Sequence, residues 1–309
     1  MTAGESHGPA LLATIEGLPS GLHVTTEDLR RGLARRRLGY GRGARQKFEA
    51  DEVSILAGVR HGVTTGAPVA IRIGNSEWPK WETVMSADPV DPSELLIDAG
   101  TGDEREIARN RPLTRPRPGH ADWPAQAKWG DSQDVRGGGH FSGRLTAPLC
   151  AAGGIARAIL GERGVRVAAH LASIAEVEDE PFAPLPGTVL DRQLEAVTAA
   201  RPLTTIDSAV ARRMAQAIDA ARGDQDSVGG TIECVATGLP AGVGSPMFDG
   251  LENLLARALF GIPAIKGVEF GAGFAAARLR GSEDNDPWHT DGSEVMPTSN
   301  NAGGILGGL

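Results

Sequence analysis

The sequence predicts an α+β fold. Three observations carry this: short apolar runs of strand length, longer segments with a helical apolar period, and no strict alternation of the two. Strands are expected at 11–16 (LLATIE), 53–59 (VSILAGV), 67–73 (APVAIRI), 164–174 (VRVAAHLASIA) and 231–237 (TIECVAT). Helices are expected at 26–37, 145–161, 207–222 and 249–260. The third helix is the best marked. Asp207 and Ser208 offer caps, Val210, Met214, Ala217, Ile218 and Ala221 share one face, and Gly223 ends it. Residues 86–105, acidic and rich in Pro and Gly, read as a mobile surface loop or lid, and 181–204 as a second variable connection. One five-residue pattern occurs twice after a strand: ATIEGLPSGL at 13–22 and ECVATGLPAGV at 233–243. This suggests an internal duplication.

With 309 residues the chain can bury a substantial core. No run of 18 apolar residues occurs, so no membrane span is expected, and the N-terminal MTAGESHGPA lacks a secretory pattern. The two cysteines, Cys150 and Cys234, lie among small apolar residues and read as buried thiols rather than a disulfide scaffold or a metal site. These features favour a cytoplasmic protein. Glycine, at 42 of 309, is too frequent for ordinary packing but has no collagen-like period, so it marks sharp turns and close backbone approaches.

The chain is acidic, with 31 Lys and Arg against 39 Asp and Glu, yet RRRLGYGRGAR at 35–45 holds five arginines. A helix C-terminus accounts for Arg35 to Arg37 through the dipole, but not for Arg42 and Arg45, which continue into a glycine loop. The net charge of −8 and the scarcity of aromatics argue against a nucleic-acid partner. A small polyanion fits better, because the guanidinium fork binds phosphate and carboxylate bidentately.

RGGGHFSGR at 136–144 runs into a helix start. Its glycines permit close backbone approach, and the helix supplies unpaired N–H groups. GESHG at 4–8 matches the nucleophile elbow G-x-S-x-G, but only three residues precede Gly4, too few for the strand that elbow requires. Its His7 is better read as a proton donor or acceptor. RPRPGHAD at 115–122 puts His120 on a Pro-Gly turn, between Arg117 and Asp122, where it could serve as an acid to a departing phosphate. Two glycine-flanked histidines, several arginines and a glycine cradle suggest an enzyme acting on a phosphorylated, multiply anionic small molecule.

In order along the chain, GESHG, RRRLGYGR, NSEWPKW, RPGHAD, RGGGHFSGR, IKGVEFGAGF and NNAGGILGG resemble the chorismate synthase family. The resemblance implies a β-α-β sandwich, a homotetramer, and anti-1,4-elimination of phosphate from 5-enolpyruvylshikimate 3-phosphate to give chorismate. It implies dependence on reduced FMN, with NADPH as a possible reductant. By motif match, Arg36 and Arg42 fall where the family binds nicotinamide nucleotide or anionic groups, and Arg45 and Arg117 would be further anion contacts. His140, Phe141 and Ser142, then Pro263 and Ala264, then Gly307 match flavin contacts. His7 resembles the histidine assigned to the leaving phosphate, and His120 the one assigned to protonation at the reduced flavin. The family pattern continues past GGILGG with a lysine-proline-threonine flavin motif and an Arg-His-Asp motif that do not occur here. The resemblance therefore implies a single domain over 1–309 that is C-terminally incomplete, and weak FMN binding and negligible turnover by these 309 residues alone.

Overall fold

A computed structural model of the chain describes residues 1–41, 51–130, 136–199, 201–290, 292 and 295–309. Arg42 and Arg45 lie outside the described residues. The described chain forms two compact units, one of residues 1–37 and 51–159, the other of residues 38–41 and 160–309.

The first unit is built on strands β1 (Thr2–Gly4), β2 (Ala10–Ile15), β3 (Glu52–Ala57), β4 (Val59–Arg60), β5 (Val63–Thr64) and β6 (Val69–Gly74). Four of them make an antiparallel sheet in the order β1-β2-β6-β3. Alternation sets its faces: Leu11 and Ala13 of β2 and Val69, Ile71 and Ile73 of β6 all turn to the core. Two helices supply the opposing apolar stripes: Leu29 and Leu33 from α1 (Thr26–Arg36), and Ala147, Ala151 and Ile155 from a later helix at 146–162. The start of α1 is fixed by a capping box. The Thr25 hydroxyl accepts from the Asp28 N–H at 3.2 Å, and the Asp28 carboxylate accepts from the Thr25 N–H at 2.8 Å. Short helices α2 (Trp78–Trp81), α3 (Glu104–Asn110) and α4 (Asp122–Trp129) follow β6, and α5 (Thr146–Glu162) completes the unit.

The second unit has a three-stranded antiparallel sheet, ordered β8-β7-β9, from β7 (Arg166–Ile174), β8 (Val177–Glu178) and β9 (Gly230–Thr237). Helices α6 (Thr188–Thr198) and α7 (Ser208–Gly223) cover one face, burying Leu190, Leu194, Val197, Val210 and Met214. Helix α8 (Leu251–Phe260) and a hairpin of β10 (Trp288–Thr290) and β11 (Val295–Pro297) follow.

The five expected strands and four expected helices all occur, with ends shifted by a few residues. Four readings need correction. Residues 181–204 are not simply a connection: α6 lies within them, with buried residues at i, i+4 and i+7. Residues 86–105 are largely exposed, but a 3-10 turn at Pro92–Leu95 and the Asn110 amide, which donates to the Ala99 carbonyl at 3.2 Å, organise part of them. A starting strand precedes GESHG, since β1 pairs with β2. The cysteines are not a buried pair: Cys150 is partly covered and Cys234 is on the exposed face of β9.

The suggested duplication has a backbone counterpart. Gly17 and Gly21 after β2 have φ of +78° and +90°, and Gly238 and Gly242 after β9 have +79° and +85°. Both segments therefore leave their strands through the same left-handed glycine turn, which side chains with a Cβ rarely adopt.

Candidate active site

The glycine loop at 136–142 is the centre of the site. Gly137, Gly138 and Gly139 have φ of +62°, +97° and +51°, a run of left-handed conformations that glycine alone adopts easily. Gly138 and Gly139 are buried. Arg136 anchors the start of the loop by donating to the carbonyls of Arg109 (3.2 Å) and Asn110 (2.9 Å). At its end, the Ser142 hydroxyl accepts from the Arg144 N–H at 3.2 Å, capping the turn that leads into α5.

The GESHG segment lies directly on this loop. Ser6 is fully buried; its N–H donates to the Gly139 carbonyl at 3.0 Å and its hydroxyl to the Gly137 carbonyl at 2.8 Å. A serine held inside by a backbone carbonyl is not an exposed nucleophile, so the structure opposes the hydrolase alternative. His7, 8% exposed, stacks on Trp81 with ring centroids 3.9 Å apart and planes 18° from parallel, and its Nδ1 is 3.8 Å from a Glu77 carboxylate oxygen. A side chain added at Gly137 would place its Cβ 1.9 Å from His7 Nε2, so this glycine is what lets the ring approach the loop.

The position of His7 is braced from below. The Asn75 side-chain amide donates to the carbonyls of Glu5 (3.2 Å) and Gly8 (2.7 Å), on both sides of His7. Asn75 in turn accepts from Arg144 Nε at 3.0 Å, and Arg144 is paired with Asp51 and donates to the Gly74 carbonyl. Arg144, which the sequence offers as part of a polar cluster around the glycines, is thus a buried structural cation. Asn75, Glu77 and Trp81 have no role in the residue-level reading of the sequence. Their only signal there is the motif NSEWPKW.

His120 reaches the same loop from the turn before α4. Its Nε2 lies 3.8 Å from where a Gly138 side chain would begin. Its Nδ1 is 2.6 Å from Asp122 Oδ1. Arg117 grips Asp122 with Nε (2.9 Å), Nη2 (2.8 Å) and its backbone N–H (2.8 Å). These bonds from Arg117 hold the Asp122 carboxyl far below the usual carboxylate range, against the opposing effect of burial. Arg117, expected as an anion contact, therefore has a carboxylate partner within the protein.

Arg36 extends from the last turn of α1 to the start of α5, donating to the Thr146 hydroxyl (3.0 Å) and the Gly143 carbonyl (2.9 Å). Beside the loop, His140 and Phe141 have ring centroids 4.1 Å apart, and Trp129 meets His140 edge-on at 5.2 Å. The first unit thus brings together His7, His120, His140, Phe141, Ser142, Arg36 and Arg117. Pro263, Ala264 and Gly307 belong to the second unit. There Ala264 has φ of +71°, a conformation costing a residue with a Cβ roughly 1–2 kcal/mol and concentrated at functional sites. Gly307, at +65°, precedes Gly308, whose carbonyl accepts from the Leu251 N–H at 3.0 Å at the start of α8.

Two histidines thus meet one glycine loop, His120 beside a carboxylate and His7 on an indole. Comparison with known proteins identifies the family. The chorismate synthase family model matches residues 1–309. The chain is 48% identical to the chorismate synthase of Mycobacteroides abscessus, covering all of this chain and 72% of that one. It is 50% identical to that of Mycolicibacterium vanbaalenii, again over its whole length and 74% of the relative's. A crystal structure of chorismate synthase superposes with a TM-score of 0.75 at 29% identity, over 100% of this chain and 79% of that one. The chain belongs to the chorismate synthase family. Its members are lyases of the shikimate pathway that form chorismate from 5-enolpyruvylshikimate 3-phosphate and depend on a reduced flavin.

The residues present fit a flat, anionic cofactor. His140 and Phe141 offer partly exposed aromatic surface. The Ser142 oxygen accepts from the Arg144 N–H, which leaves its own O–H to donate. Among the described residues no helix is long and apolar enough to cross a membrane.

Proposed function

We propose that His7 and His120 are the proton-handling groups of a chorismate-forming elimination at this loop. The single observation that carries the reading is their convergence on adjacent glycines, His7 on Gly137 and His120 on Gly138, from segments over a hundred residues apart in sequence. Reduced FMN would be the cofactor: His140, Phe141 and Ser142 in the first unit, and Pro263, Ala264 and Gly307 in the second, are the residues that match the family's flavin contacts. When bound, a reduced flavin would supply transient electron density for C–O cleavage without net oxidation.

In the elimination, the C–O bond to phosphate breaks with its electron pair on the leaving oxygen, a ring C–H loses its proton, and a second ring double bond forms. His7, protonated, donates to the departing phosphate. Its stack on Trp81 and its burial fix the ring and keep water from that proton. His120 accepts and returns a proton through Nε2, the nitrogen on the side of Gly138. Arg36, Arg42 and Arg45 supply positive charge for the carboxylates and phosphate of the ligands, and Arg117 adds to that field while clamped to Asp122. The protein works in the cytoplasm as a homotetramer.

The test is phosphate release and chorismate formation by the full-length polypeptide, anaerobically, with reduced FMN and 5-enolpyruvylshikimate 3-phosphate. His7→Ala and His120→Ala are each expected to lower kcat by roughly 10²–10⁴, the range for general acid–base groups. Near-normal turnover in either variant removes that histidine from the mechanism.

A further inference from the structure

Resting on the reading of His120 as a proton-transfer group, the geometry points to Asp122 as its positioning residue. Asp122 accepts the Nδ1 proton of the imidazole and so leaves the lone pair of the neutral ring on Nε2, facing the glycine loop.

Three observations support this. First, the 2.6 Å contact between Nδ1 and Asp122 Oδ1 requires a proton between the two atoms, since two bare acceptors would repel at that distance. Second, the proton belongs to the ring. Asp122 is 5% exposed, receives three N–H bonds from Arg117, and sits in the first turn of α4, where the helix dipole favours negative charge. All of these keep it an acceptor. Arg117 Nη2 is also 3.2 Å from Nδ1, but a guanidinium has no lone pair, so with Nδ1 protonated this pair is a simple contact. Third, the other ring nitrogen has the useful direction: Nε2 lies 3.8 Å from the point where a Gly138 side chain would start.

The roles follow in order. Arg117 keeps Asp122 ionised, Asp122 fixes the tautomer and plane of His120, and His120 presents a basic nitrogen to the loop. When Nε2 takes up a proton, the imidazolium is opposite a carboxylate that already holds its Nδ1–H, so the ring need not turn. The sequence contains the elements as R-P-G-H-A-D, but it cannot show whether Arg117 faces a ligand or Asp122.

The experiment has two arms. The first reads the tautomer without flavin or substrate, by long-range ¹H–¹⁵N NMR of His120 in the wild-type protein at a pH where the ring is neutral. A pyrrole-type Nδ1 and a pyridine-type Nε2 are expected; the reverse assignment overturns the inference. The second arm is Asp122→Asn, which preserves shape but can donate to Nδ1 and so favours the opposite tautomer. It should lower kcat by roughly 10²-fold, as for a misplaced acid–base group, with a smaller change in KM. On a His120→Ala background, Asp122→Asn should add no further loss in kcat, whereas a purely structural aspartate would add its full effect. Unchanged kcat in Asp122→Asn, or an additive double variant, contradicts the inference. If the wild-type protein forms no chorismate, the activity reading fails, and the tautomer measurement decides the role of Asp122 alone.

Discussion

Replacing Gly137 by alanine tests the link between the glycine loop and His7. The new Cβ would lie 1.9 Å from His7 Nε2 and 2.0 Å from Cδ2, where ordinary contact begins near 3.4 Å, so ring or loop must retreat by about 1.5 Å. The ring has little room, being buried and stacked on Trp81 at 3.9 Å. The loop is tied to Ser6 through two hydrogen bonds. A φ of +62° adds roughly 1–2 kcal/mol of strain for an L-residue. Displacement of a reacting group by about 1 Å can lower a rate by about 10²-fold, so kcat in Gly137→Ala should fall by at least that order. The assay is steady-state chorismate formation with reduced FMN, alongside denaturant unfolding to separate loss of fold from loss of geometry. A folded Gly137→Ala protein with wild-type kcat would refute the reasoning, for it would show that His7 need not be where the loop holds it.

Other perturbations probe the supports around the site and the second unit. Asn75→Ala removes the donor to the Glu5 and Gly8 carbonyls and the acceptor of Arg144 Nε, each loss being worth roughly 1–3 kcal/mol when the group stays buried. The midpoint of thermal unfolding should fall and kcat with it, since the same amide braces His7. In the second unit His170 is enclosed between Asp179 (3.0 Å) and Glu233 (2.8 Å), with the Phe182 ring against it. Burial pulls its pKa down, but the hydrogen bonds its ring donates to Glu233 and Asp179 outweigh this and raise it above 6.5. The stability it contributes is therefore fully present below about pH 6.5 and is lost as pH rises through the raised folded value. Burial pushes the Glu233 carboxyl up, but the His170 and Phe182 hydrogen bonds hold it below 4.5, so its contribution is present above that pH and lost as pH falls. Urea unfolding against pH should show both slopes, and His170→Gln should remove the upper one; an unchanged upper slope would separate it from His170.

Periodicity made most of the fold legible. Strands such as Val69–Gly74 alternate cleanly, and Ser208–Gly223 carries both its cap and its apolar face in local sequence. Helix Thr188–Thr198 escaped because the proline-rich PFAPLPG before it reads as loop, although Leu190, Leu194 and Val197 carry a helical period. The histidines of the site were also legible, since a histidine next to a glycine, Gly8 for His7 and Gly119 for His120, marks a turn rather than a packed element. The arginines were not. An arginine that grips a ligand and one that grips a buried carboxylate look alike in sequence, and the partners of Arg144, Asp51 and Asn75, are 93 and 69 residues away. His170 was missed for the same reason, with Glu233 63 residues along the chain. Local pattern records which residues can carry charge or protons; tertiary structure decides which of them face one another.

The most direct test of the central claim, that His7 and His120 act together at one loop in a flavin-dependent elimination, is a single-turnover experiment. Full-length protein carrying reduced FMN is mixed anaerobically with 5-enolpyruvylshikimate 3-phosphate while the flavin spectrum and chorismate are followed together. The account predicts a transient flavin signal in the wild type that decays as chorismate forms, with chorismate formation slowed by roughly 10²-fold or more in both His7→Ala and His120→Ala. Chorismate formed at the wild-type rate by either variant, or formed equally well without reduced flavin, would contradict it.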